Sequence, residues 1–141
     1  MRYVLDTNVL VAALRSQKGA SRKLLMCVLD GDIAVCASVP LMVEYEAVLT
    51  RPEHLAATGL SVEDTNAILD AFTAIAEPVR FRFVWRPQLG DPADEMVLET
   101  AVNGGADRLV TFNIRHLMAA AGRFGIVTMT PPEAWKEIAG K

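Results

Sequence analysis

Four short apolar runs recur along the chain: "RYVL" (2–5), "IAVCA" (33–37), "RLVTF" (108–112) and "GIVTM" (125–129). A strand with one wet face alternates apolar and polar side chains, whereas a strand covered on both faces reads as an unbroken apolar stretch. These four are of the second kind, so they require helices above and below them. The segments between them supply such helices. "SVPLMVEYEAVL" offers Ser38 as a cap, Pro40 in the first turn, and Leu41, Tyr45 and Val48 on one face. "SVEDTNAILDAFTAIA" opens on Ser61 with an acidic first turn and sets Ile68, Leu69, Phe72, Ile75 and Ala76 at helical spacing. "DPADEMVLETAVNGG" has Asp91 as cap, Pro92 at the first position and Gly104 as stop, and "TPPEAWKEIAG" repeats the scheme from Thr130. A shorter helix is expected over 20–30, ending at Gly31. "VRFRFV" (79–84) alternates at period two and suits an edge strand. Strands alternating with helices specify an α/β domain with a mainly parallel central sheet.

The chain has 141 residues, which is most simply one domain spanning 1–141 with a core of its own. An apolar fraction of 52% fits a compact globule. No apolar stretch reaches the roughly 18 residues that span a bilayer. "MRYVLDTN" is interrupted by Asp6, so it reads as the first structural element and not as a signal peptide. Cys27 and Cys36 lie in apolar surroundings without paired histidines, the pattern of buried thiols in a reducing cytoplasm and not of a zinc site. A net charge of −3 argues against an extended basic surface for nucleic acid. It leaves room for nucleic acid at a cation-loaded acidic pocket.

Ligands of an open parallel sheet gather outside the carboxyl ends of its strands. Asp6 ends the first strand and Asn113 follows "RLVTF". Glu44 lies in the second turn of the helix leaving "IAVCA", and Asp94 in the first turn of the helix preceding "RLVTF". Each has a bland alternative. Asp6 could simply cap the following helix. Glu44 stands about 40° outside the arc of Leu41, Tyr45 and Val48 and could be a solvated flank. Asp94 could complete a capping pair with Asp91, and Asn113 could bridge a turn. Together they say more, because carboxylates about 4 Å apart repel by roughly 1–4 kcal/mol. A fold that clusters them needs a cation among them. Oxygen donors without His or Cys favour a hard ion, Mg²⁺ or Mn²⁺, over zinc, which is chemistry suited to phosphodiester hydrolysis.

The stretches "YVLDTNVLVAAL", "SVPLMVEYEAVLTRP" and "DPADEMVLETAVNGGADRLVTFNIRHL", in this order, resemble PIN-domain ribonucleases. The resemblance is in particular to the toxin components of bacterial toxin–antitoxin pairs of the VapC type. It implies a PIN-like three-layer α/β/α fold and a cytoplasmic, metal-dependent endoribonuclease. It also implies an antitoxin partner and a homodimer. Carried over by position, it makes Asp6, Glu44 and Asp94 the acids that hold the ion. The family's fourth acidic position falls on Asn113, whose amide oxygen can reach a metal or water but adds no negative charge. Asn8 and Thr111 become supporting polar groups. Arg15, Lys18, Arg22 and Lys23 are candidate phosphate contacts, with a solvated loop and helix start as the alternative. Arg108, Arg115 and His116 flank the other side and read as surface decoration. Met42, Tyr45, Leu49 and the helix at 61–76 form an apolar face that serves the core, with a partner surface as the other reading.

Two other functions compete. A haloacid-dehalogenase-like phosphohydrolase also places an Asp after its first strand, but it requires a second Asp where this chain has Asn8, and a suitably placed lysine. A PIN fold weakened by Asn113 could instead act as an RNA- or protein-binding module.

Overall fold

The computed structural model of the chain describes residues 1–82 and 89–140. Its elements run β1 (Arg2–Leu5), α1 (Thr7–Arg15), α2 (Ala20–Leu29), β2 (Ala34–Ser38), α3 (Val39–Leu49), α4 (Pro52–Thr58) and α5 (Val62–Ile75). They continue β3 (Glu77–Val79), α6 (Pro92–Asn103), β4 (Arg108–Val110), α7 (Ile114–Gly122), β5 (Val127–Met129) and α8 (Pro131–Ala139). Among the described residues the strands form one five-stranded sheet in the order β3-β2-β1-β4-β5. Every neighbouring pair is parallel, with Tyr3 against Val35 on one side and Val4 against Leu109 on the other.

The chain builds outward from β1 through β2 to β3, then returns to add β4 on the far flank of β1. The strand order therefore reverses between β1 and β4, and such a reversal opens a crevice at the carboxyl edge of the sheet. Val4, Leu109 and Val110 are fully buried at the sheet's centre. Parallel crossovers are right-handed, so the two winding directions put their helices on opposite faces. Accordingly α1 packs on α2 and α2 on α8, while α6 packs on α7 and across β1 and β2. The result is the three-layer α/β/α domain that the alternating pattern requires.

Differences from the sequence reading are local. Within the run 108–112 the strand ends at Val110, and Thr111, its N–H still bonded to the Met129 carbonyl, donates its hydroxyl to Asp6. The edge strand is β3, two residues earlier than 79–84, with Pro78 tolerated at the edge because its missing N–H breaks no ladder. Of the expected run, residues 80–82 lie outside any strand and 83–84 lie outside the described residues. Gly104 ends α6 with ordinary helical φ (−83°), and the left-handed position is Gly105 (φ 62°). Cys36 is buried and Cys27 half-buried, both as thiols. Burial pushes the Cys36 thiol up to about 11, so it stays protonated. Among the described residues no helix is long and apolar enough to cross a membrane.

Candidate active site

Asp6 sits at the mouth of the β1/β4 crevice and is both a cap and a buried charge. Its Oδ1 accepts the Thr7 N–H at 2.7 Å, which caps α1. Its Oδ2 accepts the Thr111 hydroxyl at 2.7 Å, across 105 residues of chain. The Asp6 N–H extends the β1–β4 ladder by donating to the Val110 carbonyl. The carboxylate is thus held from two strands at once, with 6% exposure. Desolvation raises its pKa above 3.8. The Thr111 and Thr7 hydrogen bonds pull it back, and the charges of Asp94 and Glu44 raise it further. The field of both other acids is therefore felt at Asp6.

Thr111 is fully buried and serves two neighbours: it donates to Asp6, and its Oγ1 accepts the Asn113 N–H at 2.9 Å. Asn113 occupies the cap position of α7, but its side chain makes no capping bond and is exposed, so the turn alone does not account for its amide. Asn8 is half-buried in the first turn of α1 and accepts the Phe112 N–H at 3.4 Å.

Glu44 is half-buried on α3. The next residue, Tyr45, fixes this helix. Its ring is fully buried, packs edge-on against Phe72 with centroids 5.7 Å apart, and donates its hydroxyl to the Leu5 carbonyl. That bond ends one residue before Asp6, so Tyr45 ties the Glu44 helix to the strand that carries Asp6. Burial and the Asp6 charge together raise the Tyr45 phenol well above 10. In the sequence Tyr45 reads as core or as part of a partner surface, since nothing there reveals where its hydroxyl goes.

Asp94 is buried in the first turn of α6. It does not complete a cap. Asp91 takes that role by accepting the Ala93 N–H at 2.8 Å, and Glu95 accepts the Leu89 N–H at 2.8 Å. Asp94 instead faces His116, whose Nδ1 is 3.6 Å from its Oδ2. Burial and then Asp91 raise the Asp94 pKa, while His116 lowers it. The two residues line a cleft of about 300 Å³ with Leu89, Gly90 and Asp91. His116, read from the sequence as decoration, belongs to this rim. The signal available was its place three residues after Asn113, which the sequence sets at the sheet's carboxyl edge.

The basic candidates separate. Arg22 donates through Nε to the Ala13 carbonyl at 2.5 Å and through Nη2 to the Leu14 carbonyl at 3.5 Å, so it closes the last turn of α1. Arg15 is exposed at the end of α1, about 13 Å along the axis from Asp6 at 1.5 Å per residue. Lys18 is exposed. Lys23 lies over the Trp135 ring at 5.6 Å, and Arg108 pairs with Glu137 at 3.1 Å.

The donor set matches a hard divalent cation in kind. Its members are carboxylate oxygens, and the pKa values of buried Asp6 and Asp94 are both raised, the strain that a cation relieves. Among the described residues, no three His, Cys, Asp or Glu side chains already stand close enough together to hold an ion.

A family model described as "PIN domain" matches residues 2–115. Among solved structures the chain is similar to VapBC2 from Rickettsia felis, a crystal structure bound to a DNA fragment from their promoter. The TM-score is 0.59 at 17% identity, covering 92% of this chain and 98% of the other. At that identity the likeness shows a shared fold. No curated protein matches the chain.

Proposed function

Because this chain belongs to the PIN domain family, we propose that it is a divalent-metal-dependent endoribonuclease and the toxin of a toxin–antitoxin pair. The observation that carries the reading is Asp6: a carboxylate buried at the strand-order reversal, held from β1 and β4, in the field of Asp94 and Glu44. A structural cap alone would not call for two further acids from distant parts of the chain. The haloacid-dehalogenase alternative falls with the family assignment.

Asp6, Glu44 and Asp94 would hold Mg²⁺ or Mn²⁺. An ion held there would supply a more acidic water and positive charge to offset that on the phosphoryl oxygens. The protein's own groups do the rest. Thr111 and the Thr7 amide fix both oxygens of Asp6, and Tyr45 fixes the helix that carries Glu44. Glu44 or Asp94 would relay the proton from the attacking water. The Asn113 amide supplies a polar contact without adding charge. Arg22, committed to α1, has a structural role in this reading.

For the partner, the fold shared with a toxin–antitoxin complex supports a protein antitoxin. So does the apolar outer side of α3, where Val39 and Val43 are 76% and 62% exposed beside Met42. A homodimer is part of the same reading.

The test is incubation of purified protein with RNA, with Mn²⁺ or Mg²⁺ or with EDTA, beside an Asp6→Asn variant. Cleavage should require the metal and fall at least a hundredfold in the variant. Cutting that ignores both would overturn the assignment. RNA that is bound but never cut would make the domain a binding module.

A further inference from the structure

We propose that His116 supplies a nitrogen donor, beside Asp94, to the divalent cation of this site, so that the site prefers a transition-metal ion over Mg²⁺. The inference rests on the ribonuclease reading above, with its cation among Asp6, Glu44 and Asp94.

Asp94 is the buried acid of this edge that the fold leaves uncommitted. Asp6 accepts two hydrogen bonds, Asp91 caps α6, and Glu95 accepts the Leu89 N–H. Among the described residues the Asp94 carboxylate has one hydrogen-bonding or ion-pairing partner, His116. A buried carboxylate with so little to bond calls for a counter-charge.

His116 stands where it can share that ion. Its Nδ1 is 3.6 Å from Asp94 Oδ2, beyond the range of a good hydrogen bond. Two donors on one divalent ion, each about 2.0–2.2 Å from it, lie about 3.0 Å apart at octahedral angles and about 3.4 Å apart at tetrahedral ones. The two side chains are thus too far apart to satisfy each other, yet close to the span of two ligands of one ion.

The fold accounts for the position of the ring. His116 lies in the first turn of α7, its N–H bonded to the Asn113 carbonyl at 3.1 Å, and α7 packs on α6, which carries Asp94. The imidazole is 69% exposed and lines the same cleft as Asp94, so no core role explains it and an ion can enter from solvent. Asn113, from the start of the same helix, brings an amide without charge, so α7 offers this edge neutral donors and not acids.

An imidazole changes what such a site selects. Carboxylates and water suit Mg²⁺ and Mn²⁺, whereas a nitrogen donor favours Co²⁺ and the later divalent ions and adds little for Mg²⁺. A histidine that only steadied Asp94 would help every ion alike. The ratio of affinities, and not their level, separates a ligand from a support.

The test measures ion binding to the native chain, His116→Ala and His116→Asp at pH 8, without RNA. Co²⁺ is followed by its visible absorption, Mn²⁺ by the EPR signal of the free ion, and Mg²⁺ by competition with Mn²⁺. His116→Ala should weaken Co²⁺ about 10- to 100-fold and Mg²⁺ by less than about threefold, while His116→Asp should tighten Mg²⁺ and lower the Co²⁺-to-Mg²⁺ preference. Pulsed EPR of bound Mn²⁺ should show coupling to an imidazole nitrogen in the native chain and lose it in His116→Ala. The chain has two histidines, and His54→Ala should keep the coupling. Equal weakening of all three ions, or bound Mn²⁺ without nitrogen coupling, overturns the ligand role while leaving the ribonuclease reading intact. Coupling that survives Asp94→Asn puts the ion elsewhere and overturns it as well. A native chain that binds none of these ions overturns both readings. Since the imidazole is mostly in solvent, the His116 variants should melt with the native chain in EDTA, and the nitrogen coupling of the native chain decides even if a variant fails to fold.

Discussion

A single carboxylate carries opposed demands at this site. In the proposed role Asp6 must remain ionised to bind a cation, yet burial and two neighbouring acids raise its pKa above 3.8. The folded state therefore binds a proton at Asp6 more readily than the unfolded chain does. By linkage, stability falls as pH rises from the ordinary carboxylate range through the raised pKa, and the deficit is constant above it. Asp6→Asn should thus melt higher than the native chain at pH 7, by on the order of 1 kcal/mol or a few degrees. The difference should vanish below about pH 4. Thermal melts across pH check this, and a variant that melts lower at neutral pH would refute it. Thr111 works in the opposite sense by bonding the charged form. Thr111→Val keeps the shape but strips a donor from Asp6 and an acceptor from the Asn113 amide. It should cost about 1–3 kcal/mol in urea unfolding and about 10- to 100-fold in cleavage, with Thr111→Ser restoring most of both. Asp6 was legible in the sequence because the acid interrupts an apolar run. Thr111 entered only through the family resemblance, since a Thr at a strand end is otherwise unremarkable.

The helices and strands were legible to the extent that they bury a face. Both capping boxes, Ser61–Asp64 and Thr130–Glu133, form where the sequence punctuates α5 and α8. Helix α4 escaped notice because none of its residues is buried, so it prints no apolar period. Helix α7 escaped because Asn113 precedes it without a capping bond and alanine dominates its apolar positions. Gly104 is the stop of α6 that the sequence marks, the left-handed turn falls on Gly105, and Gly104 also has a spatial role. A Cβ at Gly104 would meet Val79 Cγ2 at 2.8 Å, the Thr100 carbonyl at 3.0 Å and Cys36 Cβ at 3.3 Å. Gly104→Ala should therefore destabilise by about 1–3 kcal/mol through overpacking of α6 against β2 and β3, although its helical φ would itself accept alanine. Denaturant midpoints decide the sign. At the opposite edge, Glu137 accepts from Tyr3 at 2.7 Å and from Arg108 Nε at 3.1 and 3.2 Å, locking α8 onto β1 and β4. Burial, then Glu137, pushes the Tyr3 phenol up to about 12. Glu137→Ala should release that phenol toward 10, visible in a spectroscopic titration, and cost about 1–3 kcal/mol.

At the scale of the whole molecule, the proposed site depends on the folding of the sheet. Asp6 follows β1, Glu44 lies on α3, Asp94 on α6, and Thr111 follows β4, so no single stretch of sequence holds the proposed set. The alternating pattern showed that the carboxyl edge would gather polar groups. Which groups face that edge depends on the β1/β4 reversal, and a list of strands does not contain that order. Since the unfolded chain scatters these acids, an ion they bind together must stabilise the folded domain. At a metal concentration one hundred times its Kd the gain is about 2.7 kcal/mol. This gain opposes the destabilising charge of Asp6, and the balance can be read directly. In EDTA, Asp6→Asn should melt above the native chain, because it no longer buries the charge. With saturating Mn²⁺ the native chain should rise past the variant, which responds little. The order of the two melting temperatures should therefore invert with metal. A native chain whose melting temperature ignores millimolar Mg²⁺ and Mn²⁺ would leave these acids without their cation, and parallel shifts in both proteins would place the ion away from Asp6.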